Sequence, residues 1–81
     1  MPHFYFDLRE DGRFICDEEG QECRDLDHAE QIACEVAAEV GRDALPETED
    51  RKIILEVRNE QKQRVLTATV WLEVVRVDPR P

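Results

Sequence analysis

Two periods alternate along this chain and mark out its elements. From His3 to Leu8 (HFYFDL) the period is two. Phe4, Phe6 and Leu8 fall on one side, and His3, Tyr5 and Asp7 on the other, the alternation of a strand with one covered face. Glu10-Asp11-Gly12 is turn chemistry, and Asp-Gly is a strong hairpin signal. Arg13 to Asp17 (RFICD) returns as a second strand, with Phe14 and Cys16 on one face and Ile15 on the other. Asp17 to Arg24 (DEEGQECR) reads as a polar connection that turns at Gly20.

The period then lengthens to 3.6. Leu26, Ala29, Ile32, Ala33, Val36, Ala37, Val40 and Ala44 recur in steps of three and four, which predicts one amphipathic helix over about 26–44. Asp25 or Asp27 caps its start; with Asp27 as cap, Glu30 stands where a capping box needs it. Gly41 weakens the last turn and Pro46 stops the helix. The apolar stripe is rich in alanine, so the helix can lie close to a sheet.

Period two resumes after an acidic loop, PETED. Lys52 to Arg58 (KIILEVR) is a strand with Ile53, Leu55 and Val57 facing in. The NEQKQ turn follows, unusual in lacking glycine, and then a long strand over 64–77. There Leu66, Ala68, Val70, Leu72 and Val74 alternate with Val65, Thr67, Thr69, Trp71, Glu73 and Val75. Asp78 to Pro81 is a tail that proline keeps from pairing. The order β-β-α-β-β predicts an α+β fold: a two-layer sandwich, one antiparallel sheet with one helix packed on one face. The whole chain, 1–81, is a single domain.

The inner face collects Phe4, Phe6, Leu8, Ile53, Leu55, Val57, Leu66, Val70 and Leu72. The outer face is left with Tyr5, Ile54, Val65, Trp71 and Val75, and His3 nearby. A solvated sheet face is mainly polar, so an apolar patch with a tryptophan implies a cover. The interface candidates are Tyr5, Ile54, Trp71 and Val75, and the expected partner is a second copy, through the outer face or the long last strand. A strand that bends at a bulge and covers its own sheet is the alternative.

Charge sharpens the picture. Residues 1–50 hold 16 acids and 4 bases, a net −12, while residues 51–81 hold 4 acids and 7 bases, a net +3. The acidic front half repels phosphate backbones and anionic lipid, so neither nucleic acid nor membrane is an expected partner. Asp17, Glu18, Glu19 and Glu22 form either a solvated face or a surface for a basic protein. Three cysteines, no basic leader and no run of 18 apolar residues point to a soluble cytoplasmic protein without a disulfide framework.

Catalysis finds little support. The chain has no serine, and its three glycines are isolated. The spacings of Cys16, Cys23, Cys34, His3 and His28 fit no zinc pattern. Cys34 reads as a small core hydrophobe. The DEEGQE stretch lacks the alternating order of a calcium loop. A Cys–His nucleophile needs a depressed thiol pKa, which an acidic neighbourhood opposes. No enzyme, metal or cofactor is expected.

The opening MPHFYF, the turn DEEGQE at 17–22, Asp25-Leu26 leading an Ala- and acid-rich helix, and Val65-Leu66-Thr67 together resemble a bacterial family known only as a domain of unknown function. Its short members open Met-Pro-x-(Phe/Tyr)-(Phe/Tyr)-Phe. Cys23, where members tend to have an aliphatic residue, and the glycine-free turn at 61–63 depart from the pattern. The resemblance implies no activity and no catalytic residues. At the level of fold alone, residues 3–40 also resemble HicB-type antitoxin domains, which implies an acidic partner for a basic protein. The sequence therefore reads as a non-catalytic protein-interaction or homodimerisation module. An antitoxin-like binder is the alternative, and a metal-dependent or thiol enzyme comes last.

Overall fold

Each predicted element forms, and one short strand joins them. A computed structural model describes Met1–Pro79, so the last two residues of the expected tail, Arg80 and Pro81, lie outside the described residues. The elements are β1 (His3–Glu10), β2 (Arg13–Ile15), β3 (Gln21–Glu22), α1 (Leu26–Ala44), a 3-10 turn (Leu45–Glu47), β4 (Lys52–Arg58) and β5 (Arg64–Trp71). The five strands form one antiparallel sheet in the order β2-β1-β4-β5, with β3 also paired to β1. The helix covers one face, so the chain is the expected α+β sandwich.

The β1–β2 hairpin turns through Asp11 and Gly12, both with positive φ (47° and 75°), the geometry that an Asp-Gly pair favours. Asp11 Oδ1 then accepts the Glu49 N–H at 2.8 Å, tying this turn to the loop after the helix. β2 is shorter than the expected 13–17. Past Ile15 the chain leaves the ladder, and Asp17 takes over with its side chain: Oδ2 accepts the Phe6 N–H at 3.0 Å. β3 then resumes pairing farther along the same strand, His3 opposite Glu22 and Phe4 opposite Gln21. The polar connection is thus partly a strand.

Asp25 is the helix cap, its Oδ1 accepting the His28 N–H at 2.8 Å. His28 answers by accepting the Arg24 N–H on Nδ1 at 2.9 Å. The helix runs through Gly41 without fraying. Ala29, Ala33, Ala37 and Gly41 are its buried residues, a small-residue stripe at four-residue steps that lets the backbone approach the sheet. A Cβ on Gly41 would stand 3.2 Å from Val70 Cγ1. Pro46 is the second residue of the 3-10 turn that follows the helix.

The core lies between α1 and the centre of the sheet: Phe4, Cys23, Ala29, Ala33, Ala37, Leu55 and Val57, with Phe6, Leu8, Ile32, Val36, Leu66 and Val70 packed around it. Burying a side chain such as Leu55 is worth about 1.5–3 kcal/mol, and Leu55→Ala would cost about 2–5 kcal/mol through the lost burial and the cavity left behind. One cysteine departs from its expected environment, and another proves to be part of the core. Cys34 is exposed because it lies about 100° around the helix from Ala33. Cys23 is fully buried, its backbone N–H bonded to the Pro2 carbonyl at 2.9 Å.

β5 ends at Trp71, not at Val77. Its partner begins at Lys52, which pairs with Trp71, so the ladder has no further rungs beyond one bond from Leu72 N to the Arg51 carbonyl at 2.9 Å. Residues 72–79 continue outside the sheet.

Candidate functional site

The register of β1 against β4 determines what the outer face displays. Tyr5 pairs with Arg58, Asp7 with Glu56 and Arg9 with Ile54. Two carboxylates therefore stand directly opposite each other, an arrangement that is destabilising unless cations intervene. Here they do. Arg58 donates from Nε to Asp7 Oδ2 at 2.8 Å and from Nη2 to the Asp17 carbonyl at 2.9 Å. Arg9 Nε meets Glu56 Oε2 at 2.9 Å, and Arg64 Nη2 meets Glu56 Oε1 at 3.3 Å. The Tyr5 ring lies under the Arg58 guanidinium (4.5 Å) and the Phe14 ring under that of Arg9 (4.6 Å), contacts that hold both guanidiniums in place. Among the described residues, no buried side-chain nitrogen or oxygen lacks a partner.

The expected apolar patch is thus divided by a charged belt. Tyr5 is half-buried beneath Arg58. Ile54 and Trp71 are neighbours on the outer face, because Ile54 pairs with Thr69, two residues before Trp71. Tyr5 sits level with Arg58 and Trp71 level with Lys52. Six residues of β4 separate those levels, about 20 Å at the rise of a strand. Val75 is exposed but lies past the sheet. Val65 departs from its expected face. A bulge between Val57 and Arg58 pairs Val57 with Leu66 and Arg58 with Arg64. Val65 is the extra residue and packs against the core. Arg64 is thereby turned towards Glu56.

The acidic candidates also divide. Asp17 is structural. Its Oδ2 takes the Phe6 N–H, and its Oδ1 takes the N–H groups of Glu19 (3.1 Å) and Gly20 (3.0 Å). Its own N–H goes to Asp7 Oδ1 at 2.8 Å. Burial works to raise the Asp17 pKa, but the three backbone donors and the charge of Arg58 outweigh it and hold the carboxyl below its ordinary value. Asp7 is likewise lowered: burial opposes, while Arg58, the Asp17 N–H and the Cys16 contact prevail. Glu18, Glu19 and Glu22 are exposed. Glu18 and Glu19 line an open groove of about 470 Å³ whose other walls include Phe6, Leu8, Ile15, Val36 and Val40.

Gly20 is needed where it stands. Its φ is +70°, and a Cβ there would lie 2.7 Å from the His3 ring and 2.8 Å from the Phe4 carbonyl oxygen. The His3 ring is held by Nε2 donating to the Glu19 carbonyl at 2.8 Å. Cys23 has its pKa raised, chiefly by burial. Among the described residues, no three His, Cys, Asp or Glu side chains gather as a metal site would require, and no helix is long and apolar enough to cross a membrane.

The remaining exposed feature is an edge. β5 pairs only with β4 among the described residues. Its far side borders a groove lined by Glu30, Cys34 and Ala37 of α1 and by Leu66–Val70 of β5. Trp71 at its end is 67% exposed, and Val74, Val75 and Val77 follow at 69%, 69% and 85%. The alternation that suggested a long strand is the signal for this segment. The charged belt was also legible as Asp7, Arg9, Glu56 and Arg58, once the register was known.

The chain belongs to a family described as a domain of unknown function (DUF6894), whose profile matches residues 3–71. That span closes on the last residue of β5. No curated protein matches the chain, and neither does any solved structure.

Proposed function

We propose that this protein is a non-catalytic interaction module that pairs with a second copy of itself along β5 and the segment beyond it. The observation that carries this reading is the free β5 edge running into four exposed large apolar residues, Trp71, Val74, Val75 and Val77. An open strand edge presents unpaired N–H and C=O groups and takes up another strand unless it is blunted. β5 itself (RVLTATVW) contains neither proline nor lysine. A second β5 running antiparallel about a two-fold axis would join two sheets into one and carry the added strand beside Glu30, Cys34 and Ala37. It would also extend the core of a chain of 81 residues, a length at which oligomerisation often supplies missing burial. The histidines favour a non-catalytic role, since each uses a ring nitrogen to hold local backbone.

Light scattering across a concentration series tests the proposal. The wild type is expected to have dimer mass, and the double variant Trp71→Glu, Val75→Glu monomer mass. A wild type that is monomeric throughout, or a variant that stays dimeric, refutes it.

A second reading, an antitoxin-like binder of a basic protein, is favoured by the apolar groove with Glu18 and Glu19 at its rim. Glu18, Glu19 and Glu22 changed together to Lys should abolish capture of a basic partner. Unchanged capture would remove that reading. Asp17 has no part in this test, because its carboxylate is spent on the backbone.

A further inference from the structure

The outer face holds a bowl that dimerisation along β5 does not use. Its volume is about 270 Å³, and four cations, Arg9, Arg58, Lys62 and Arg64, line it against two carboxylates, Asp7 and Glu56. In a chain of net charge −9, this concave site has an excess of positive charge. Arg58 is committed to Asp7 and to the Asp17 carbonyl. Arg9 gives Glu56 only its Nε, and Arg64 gives it one terminal nitrogen. Those two side chains remain 48% and 59% exposed, so donors of both face water. Lys62 makes no ion pair among the described residues.

Lys62 carries a second mark. It sits in the β4–β5 turn with φ +64°, a left-handed conformation that glycine or asparagine takes at little cost and lysine does not. The turn is otherwise held by Asn59, whose Oδ1 accepts the N–H groups of Gln61 and Gln63, each at 3.0 Å. Nothing in that scheme needs a lysine side chain. A strained residue whose side chain lines a cationic bowl is the kind of outlier from which function is inferred.

We propose that this bowl binds a small oxyanion of the phosphate-monoester class through Lys62, Arg9 and Arg64. Guanidinium forks suit the oxygens of such a group, and the Phe14 ring under Arg9 holds one fork in advance of binding. The volume lies just below that of typical ligand pockets, which matches a phosphate-bearing fragment better than an extended ligand. A polyanion would have to lie along an acidic body. A small ion meets mainly the charges within a Debye length, about 8 Å at physiological salt.

The test is a thermal-shift and calorimetric titration with inorganic phosphate and with glycerol 3-phosphate, set against sodium chloride at matched ionic strength and against polyglutamate. The variant is Lys62→Gly, which suits the left-handed turn. The wild type should show a saturable rise in melting temperature with both phosphates that chloride does not reproduce. Lys62→Gly should bind phosphate about tenfold more weakly or worse while melting no lower than wild type without phosphate. A rise no larger than that from chloride, equal affinity in the two proteins, or saturable binding of polyglutamate alone overturns the proposal.

Discussion

Replacing Asp17 with alanine removes a carboxylate that accepts three backbone N–H groups. The Glu19 N–H is exposed and can turn to water, so its loss counts for little. The Phe6 and Gly20 N–H groups are partly buried, and each loses a charge-assisted bond. Because Asp17 is itself half-buried, the lower part of the usual range applies, about 1–1.5 kcal/mol per bond, or about 2–3 kcal/mol in all. A domain of this length has a total stability of about 4–12 kcal/mol. The loss is therefore a large share, equivalent to a fall in melting temperature of roughly 10–20 °C. Asp17→Asn keeps one acceptor oxygen and should cost about half as much. Urea denaturation measures both variants, with Glu18→Ala as a surface control expected within about 0.5 kcal/mol of wild type. Amide exchange at Phe6 should quicken in Asp17→Ala, because that N–H bridges the gap between β2 and β3. If Asp17→Ala proves no less stable than Glu18→Ala, the structural account of Asp17 fails.

Gly20→Ala should destabilise by about 2–4 kcal/mol, combining a left-handed non-glycine residue with a clash against the Phe4 carbonyl, which is backbone and cannot move aside; a loss under 1 kcal/mol in the same urea assay would contradict this. Stability should fall as pH drops below about 4. The folded state holds Asp7 and Asp17 below their ordinary pKa, so the unfolded chain takes up protons first, and their contribution is present above the unfolded value and lost as pH falls through the folded one. Asp7→Asn should flatten that acid limb, and an unchanged slope would show that the carboxylate is not responsible. In native protein, a thiol reagent should label Cys16 and Cys34 readily and Cys23 only on unfolding; rapid labelling of all three would place Cys23 outside the core.

The helix was legible almost to the residue, because a 3.6-period stripe between an aspartate cap and a proline stop leaves little freedom. Strand ends were less legible, since a strand needs a partner and the partner's limits lie elsewhere in the chain. Trp71 ends β5 because β4 begins at Lys52, and nothing in residues 64–77 taken alone reveals that. β3 was hidden for a related reason. Two polar residues carry no alternation, and their pairing depends on Asp17 filling the rung between them and β2. Cys34 was misplaced by a single helical step. Val65 leaves its expected face because of a bulge, which makes it the extra residue and shifts Arg64 relative to the strand opposite, while Leu66 and the residues after it keep their alternation. That shift alone turns Arg64 to Glu56, so the cationic bowl was invisible until the register was known.

The charged belt also bears on where a second copy can sit. Covering the outer face in a dimer would be costly, since Arg9 and Arg64, whose side chains are 48% and 59% exposed beside the already buried Asp7 and Glu56, would lose water. Left open, the belt lets Arg9 and Arg64 keep that water. The proposed pairing is therefore assigned to the β5 edge in preference to the charged part of the outer face. A two-fold axis perpendicular to the joined sheet then leaves both bowls open on the same side. The two proposals are separable by position, because Trp71 lies level with Lys52 at one end of β4 while the β4–β5 turn carrying Lys62 lies at the other. Trp71→Glu should break the dimer and keep phosphate binding, and Lys62→Gly should do the reverse. If either variant lost both properties, the edge and the bowl would be one site, and the belt would have to be read as part of the interface.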